Sequence, residues 1–305
     1  MRYDLIIVGA GPAGMTAALY ALRAEKSVLL LDSKGYGGQI TLSACVENYP
    51  GAANINGFDL ADAMMAQVRA LGGRLENLAV TAVRKRSFGY EVQTASALYE
   101  ARAVILATGV THRKLGVPGE EDFIGKGVSF CAVCDGAFFR KKEVAVIGGG
   151  NTAVQDALYL AELCSKVYLI HRREGFRAEE RLLVKARQTA NLEILTDTVV
   201  TQMQGELRIS ALQLKNIKSG EDRVLPIQGV FEAIGSIPQN ESFKELLTLD
   251  ANGYFASGED CTTALAGLFV AGDCRAKQIR QLTTATADGT VAALAAISYL
   301  DGVSS

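Results

Sequence analysis

No apolar stretch in this chain approaches the roughly 18 residues that a membrane-spanning helix needs, so a spanning segment is not expected. Surplus charge is also missing: 31 basic residues stand against 33 acidic ones, a formal net charge of −2. Nucleic acid and anionic membranes select a basic surplus, and neither is indicated. Histidine is nearly absent, and His112 and His171 stand far apart. The six cysteines, at positions 45, 131, 134, 164, 261 and 274, are too few and too scattered for a disulfide framework. The short apolar run Leu5–Val8 has one basic residue nearby and leads straight into a glycine motif. It reads as a buried strand rather than a leader, and the expected setting is soluble and cytoplasmic.

What the chain does have is glycine, 31 residues of 305, and an apolar content of 49%. That is the composition of an α/β protein with repeated tight strand-to-helix turns. Leu5–Val8, the alanine-rich Pro12–Ala24 and Val28–Leu31 read as one βαβ unit, with strands buried on both faces of a parallel sheet. Val144–Ile147, Ala153–Leu163 and Val167–Ile170 repeat the pattern far downstream, which indicates two similar domains rather than a short-period solenoid. Near the end, Leu268–Asp273 and the helix Thr284–Leu300 have no glycine fingerprint of their own and are expected to complete the first domain. The fold expected is α/β with two Rossmann-like (three-layer ββα type) dinucleotide-binding domains, the second inserted into the first. The crossings fall near Thr111–Pro118 and Gly235–Ser242, giving residues 1–114 plus 242–305 as one domain and 115–241 as the other.

Each βαβ unit carries a fingerprint between strand and helix: Gly9-Ala-Gly11-Pro12-Ala13-Gly14 and Gly148-Gly-Gly150-Asn151-Thr152-Ala153. Such glycines let the backbone turn tightly and approach a pyrophosphate at the positive end of a helix. The residue at the end of the following strand separates the two sites. Asp32 in the first can accept hydrogen bonds from a ribose diol and repels a 2′-phosphate. In the second the position is His171, followed by Arg172, Arg173 and Arg177, whose guanidinium forks suit phosphate oxygens. The first site is therefore expected to hold an adenine dinucleotide lacking a 2′-phosphate, and the second to prefer NADPH over NADH.

Between the two fingerprints lies Cys131-Ala-Val-Cys134-Asp135-Gly136. As half a zinc site this pair needs two further ligands at matching spacing, which the isolated histidines and remaining cysteines do not offer. As a redox pair it fits: the spacing closes a small disulfide, and Asp135 stands ready to pass a proton when a thiolate leaves. Asp135 also reads as a turn or cap residue, and the two roles are compatible. Cys45, Cys164, Cys261 and Cys274 read as small, largely buried residues.

With these motifs in this order, the chain resembles the low-molecular-weight, bacterial-type thioredoxin reductases over essentially its whole length. Further matches are Gly37-Gly38-Gln39, Glu47-Asn48-Tyr49-Pro50-Gly51, Ala107-Thr108-Gly109, Gly272-Asp273 and Arg280-Gln281. The resemblance implies an NADPH-dependent enzyme with FAD in the first domain and NADPH in the second. Around the flavin it places Gln39, Asn48, Val80, Arg280 and Gln281 beside the glycine motifs, with Asp273 meeting the ribityl chain. It also implies that Cys134 lies against the flavin ring, that Cys131 attacks the disulfide of thioredoxin, and that the protein is a homodimer alternating between two domain orientations. The chain departs from some members at Ala137, which precedes Phe138-Phe139 and bears on partner docking. No extra dithiol domain precedes the first motif, unlike the related peroxiredoxin-reducing flavoprotein. Competing expectations are a same-fold flavoenzyme acting on another thioredoxin-like protein or a small dithiol, a ferredoxin-linked reductase, and a redox sensor that carries FAD as a structural ligand.

Overall fold

The computed structural model describes residues 2–43 and 45–302, so Met1 and residues 303–305, counted above in the first domain, lie outside it. The chain divides into two compact units. Unit 1 runs up to Thr111 and resumes at Ile237, and unit 2 is His112–Ser236. Both borders fall within the expected crossings, a few residues before positions 114 and 241, because the chain changes unit within two short strands rather than in the loops after them.

The first segment forms β1 (Arg2–Val8), α1 (Pro12–Arg23), β2 (Val28–Leu31), α2 (Gly57–Ala70), β3 (Arg74–Glu76), β4 (Val80–Arg86), β5 (Gly89–Thr94), β6 (Leu98–Leu106) and β7 (Val110–His112). The inserted segment forms α3 (Glu120–Phe123), β8 (Val128–Ser129), α4 (Ala132–Asp135), β9 (Glu143–Ile147), α5 (Asn151–Ala161), β10 (Lys166–Ile170), α6 (Glu180–Gln188), β11 (Leu192–Leu195), β12 (Thr198–Gly205), β13 (Ile209–Asn216), β14 (Asp222–Pro226) and β15 (Gly229–Glu232). The return adds β16 (Ser236–Pro238), β17 (Leu268–Val270) and α7 (Leu282–Leu300).

In unit 1 the sheet order is β3-β2-β1-β6-β5-β4, with β17 also pairing β6. Strand β6 serves two partners. Its first half pairs antiparallel with β5, and its second half pairs parallel with β17 through Leu268↔Val104 and Val270↔Leu106. The apolar run in β1 is continuous because both of its faces are covered. Leu5 and Ile7 join the helix-side core with Leu30 and Ile105, while Ile6 and Val8 join the opposite core with Leu29, Val104 and Tyr90. The alanines of α1 and α7 let those helices approach closely, and a Cβ on Gly289 would meet the Ala13 carbonyl oxygen at 2.3 Å.

Unit 2 repeats the plan with the parallel order β11-β10-β9-β15-β8 and a separate antiparallel sheet β12-β13-β14. One face of its parallel sheet packs on α5 and α6 through Val144, Val146, Val154, Leu183 and Phe231. The other packs on the antiparallel sheet through Ala145, Ile147, Leu212, Leu225 and Val230. Helix α5 starts and ends two residues earlier than its periodicity suggests, at Asn151 and Ala161.

Candidate active site

Each glycine turn is built by contacts that leave no room for side chains at two positions and ample room at a third. Gly9 adopts φ +104°, and a Cβ there would lie 2.2 Å from the Ala107 carbonyl oxygen. A Cβ on Gly14 would lie 1.9 Å from the Gly9 oxygen, so that glycine sets the packing of α1 on β1. Gly11 is different: a Cβ would meet nothing within 4 Å. The same split recurs in unit 2, where a Cβ on Gly148 would meet the Ala233 oxygen at 2.5 Å and one on Gly150 would meet nothing within 4 Å. Gly11 and Gly150 are also the N-cap residues of α1 and α5, and neither helix receives a side-chain cap there. The first-turn N–H groups lack helical acceptors, and such ends favour anions.

Around the first turn the fold gathers most of the sequence-predicted residues. Asp32, at the end of β2, accepts from the Ala10 amide through Oδ2 and the Lys34 amide through Oδ1, both at 2.9 Å. A carboxylate has lone pairs left after two such bonds. The Gly37 amide donates to Ala10 at 2.8 Å, and Gly38 lies against Gly11. Gln39 donates to the Val110 carbonyl, and Asn48 Nδ2 donates to Gln281 Oε1 at 3.4 Å. Thr108 donates to Asn240 at 2.8 Å beside Gly109. Gly272 packs against Ala13, the second residue of α1. Asp273 follows it, and its Oδ1 is buried with no hydrogen-bond partner among the described residues. Burial pushes the Asp273 carboxyl up, against the pull of Lys277 and Arg280. Arg280 donates to the Asp273 carbonyl at 3.3 Å and lies over the Tyr254 ring. Pro12 opens α1, and Val80 opens β4 half-buried, packed against the core that holds Val8 and Val83.

An FAD molecule fits these residues: the gap over Gly11 suits a pyrophosphate, and the orphaned Asp273 oxygen awaits a hydroxyl donor. Two features here escaped the sequence reading. Asn240, fully buried, donates to Gly253 and Cys274 while accepting from Thr108. Asp288, inside α7, accepts from the Gly272 amide, Arg275 and Lys277, fixing the turn that presents Asp273. No local motif signals either one, since their partners come from distant sequence.

In unit 2, Arg177 is tied to the second turn by its amide, which donates to Gly149 at 2.8 Å. Arg172, Arg173 and Arg177 are exposed. His171 is not presented outward with them. Its ring is buried, lies tilted against Phe176, approaches the Gly175 carbonyl at 3.2 Å and occupies the space a Gly149 Cβ would need. Burial first, then the nearby arginines, hold its pKa below the usual histidine value, so it supports the turn as a neutral wedge. Asn151 and Glu179 exchange two hydrogen bonds that tie the start of α5 to the segment before α6, with exposed Thr152 beside them. A second dinucleotide fits this turn, and the three arginines suit an additional phosphate.

Cys131 and Cys134 are joined as a disulfide across α4, with Cα atoms 5.3 Å apart. Ser129 organises the acid next to them: its hydroxyl donates to Asp135 Oδ2 at 2.5 Å and accepts from the Cys131 amide at 3.1 Å. Burial raises the Asp135 pKa and the Ser129 hydrogen bond opposes it. Val133 and Phe138, on either side of Cys134 and Asp135, are exposed. Cys164, Cys261 and Cys274 are buried, whereas Cys45 is partly exposed. Among the described residues no group of three or more metal-ligating side chains converges, and no helix is long and apolar enough to cross a membrane.

Known proteins resemble this chain over nearly its whole length. The chain is 43% identical over 300 residues to the thioredoxin reductase of Treponema pallidum, covering 98% of this chain and 97% of that one. It is 40% identical to a bifunctional thioredoxin reductase/thioredoxin of Mycobacterium leprae, covering 98% of this chain and 66% of that one. The crystal structure of thioredoxin reductase from Streptococcus pyogenes superposes with a TM-score of 0.95 at 39% identity, covering 99% of both chains. Residues 3–289 match the pyridine nucleotide-disulphide oxidoreductase family, and the chain belongs to it.

Proposed function

We propose that this protein is a thioredoxin-disulfide reductase that takes electrons from NADPH and passes them by way of FAD to the Cys131–Cys134 disulfide and then to oxidised thioredoxin. The observation that carries the reading is a closed Cys131–Cys134 pair beside a half-buried acid, on a chain with two open glycine turns. Unit 1 would bind FAD through Gly9–Gly14, Asp32 and Asp273, and unit 2 would bind NADPH through Gly148–Gly150 and the arginines. When bound, the flavin supplies two-electron transfer between a reduced nicotinamide and a disulfide.

The chain's own residues handle sulfur and protons. Opening Cys131–Cys134 consumes two electrons and leaves one thiol and one thiolate, with Asp135 delivering the proton to the sulfur that leaves. Once Asp135 has taken that proton back, the Cys131 thiolate attacks one sulfur of the partner disulfide and expels the other partner sulfur as a thiolate. Cys134 attacks Cys131 Sγ, which releases the reduced partner and restores the original disulfide. Exposed Val133 and Phe138 offer the partner an apolar contact next to the sulfurs. The same reading includes a homodimer, testable by sedimentation, and a reducing cytoplasm, where a lone close thiol pair is catalytic rather than structural.

The test is an anaerobic titration with NADPH followed by oxidised thioredoxin, recorded by flavin absorbance. Bleaching by NADPH and recovery with thioredoxin, with recovery blocked in Cys131→Ser, supports the reading. Bleaching without recovery reassigns the acceptor to another thioredoxin-like protein or a small disulfide. Absence of bleaching overturns NADPH as donor.

A further inference from the structure

Unit 2 buries two carboxyl groups against each other. Glu120 is 2% exposed and Glu232 is 4% exposed. Glu120, in the first turn of α3, spends its oxygens on the chain that enters the unit: Oε1 accepts from the Leu115 amide at 2.9 Å, and Oε2 accepts from the Gly116 and Val117 amides at 2.6 and 3.2 Å. In all three bonds it is the acceptor. Glu232 ends β15, on the face it shares with Val230 and Ile234. Neither of its oxygens has a hydrogen-bond partner among the described residues, and the group facing them is the Glu120 carboxylate. Two acceptors cannot bond without a proton between them. Burial first, then Glu120, push the Glu232 pKa up to about 9; Glu121 adds to this and Lys114, which pairs with Glu121, opposes it.

Both ends of the insert meet at this pair. Glu120 holds Leu115–Val117, and the residues after Glu232 lead out through β16. Glu232 also lies level with Ile147 in the sheet, and the next residue, Ala233, donates to Ile147 and fills the space beside Gly148.

We propose that Glu232 is carried as a neutral carboxylic acid whose proton is donated to Glu120, so that one proton clamps both ends of unit 2 and keeps a negative charge from forming behind the second glycine turn. The last part rests on the reading of that turn as a site for an anionic dinucleotide. Glu232 is then a positioning residue, acting through the turn.

The test compares the full-length wild type with Glu232→Gln, a neutral isostere that still donates to Glu120. The infrared carboxylic-acid band at pH 8 is expected in the wild type, to bleach as pH passes about 9, and to be absent from the variant. An identical band in both proteins overturns the proton assignment without reference to any nucleotide. The KM for NADPH is expected to rise severalfold across the same pH range in the wild type and to stay flat in the variant, with kcat moving alike in both. Parallel KM profiles overturn the electrostatic part, while failure of NADPH to saturate either protein indicts the reading of the turn and leaves the infrared result standing.

Discussion

At the scale of single residues, the chemistry turns on how burial and one hydroxyl set Asp135. Its raised pKa keeps the acid form to higher pH than a free aspartate, and activity that needs that proton is lost as pH rises through the folded value. Ser129→Ala removes the bond that favours the carboxylate, so the alkaline limb of the kcat profile is expected to move to higher pH. Asp135→Asn should lower partner reduction by about a hundredfold or more while NADPH still bleaches the flavin, as expected for loss of a general acid. Replacing Arg172 and Arg173 by alanine should raise the KM for NADPH about tenfold and leave that for NADH nearly unchanged, since a charged hydrogen bond contributes about 1.5–3 kcal/mol. Equal effects on both cofactors would remove the arginines from phosphate recognition. Residues of this kind were legible in the sequence where their chemistry is local, as in Cys131-x-x-Cys134 or the arginines after β10. Ser129 was not, because nothing about a serine before a cysteine says which way its hydroxyl points. His171 stands at the position that offset from the glycines assigns to a nucleotide reader, yet its ring turns inward beneath Gly149, a direction set by packing with Phe176.

At the scale of elements, the two turns separate glycine needed for folding from glycine needed for binding. Gly9→Ala meets both a left-handed φ and a carbonyl oxygen at 2.2 Å, so destabilisation is expected, with the conformation alone costing about 1–2 kcal/mol. Gly11→Ala meets nothing within 4 Å and should fold normally yet emerge without flavin, as read by absorbance of the purified protein. Retention of flavin by Gly11→Ala would show that the open space is not a pyrophosphate seat. The Arg275–Asp288–Lys277 network belongs to the same scale, because it ties α7 to the Gly272 turn. Burial alone would raise the Asp288 carboxyl, but hydrogen bonds from Arg275 and Lys277 outweigh it and hold its pKa below the ordinary 3.8. Its contribution to stability is therefore present above pH 3.8 and lost as pH falls through the lower folded value. Asp288→Ala strands two buried cations and is expected to cost about 3–5 kcal/mol at neutral pH in urea unfolding. Strands β1, β2, β9 and β10 could be read from the sequence because strands covered on both faces are apolar throughout. The pairs β4–β5 and β12–β14 carry polar residues on exposed faces, and their register depends on partners that no local pattern names.

At the scale of the molecule, the insertion gives unit 2 a complete interior of its own. Among the described residues, both of its cores are built from positions between Leu115 and Ile234. Residues 112–236 expressed alone are therefore expected to fold cooperatively, with dispersed amide resonances, and a collapsed spectrum would contradict that independence. Unit 1 is in the opposite situation, because β17 lies against β6 and α7 packs on α1. During synthesis β6 leaves the ribosome with the second half of one edge unpaired, and that half waits roughly ten to thirty seconds for Leu268–Val270 at ordinary elongation rates. The insert can finish folding inside that interval. The proposed flavin seat is completed only when Asp273 emerges, so cofactor loading becomes an event at the end of translation. A chain released early would present a folded dithiol unit with nowhere to receive its electrons.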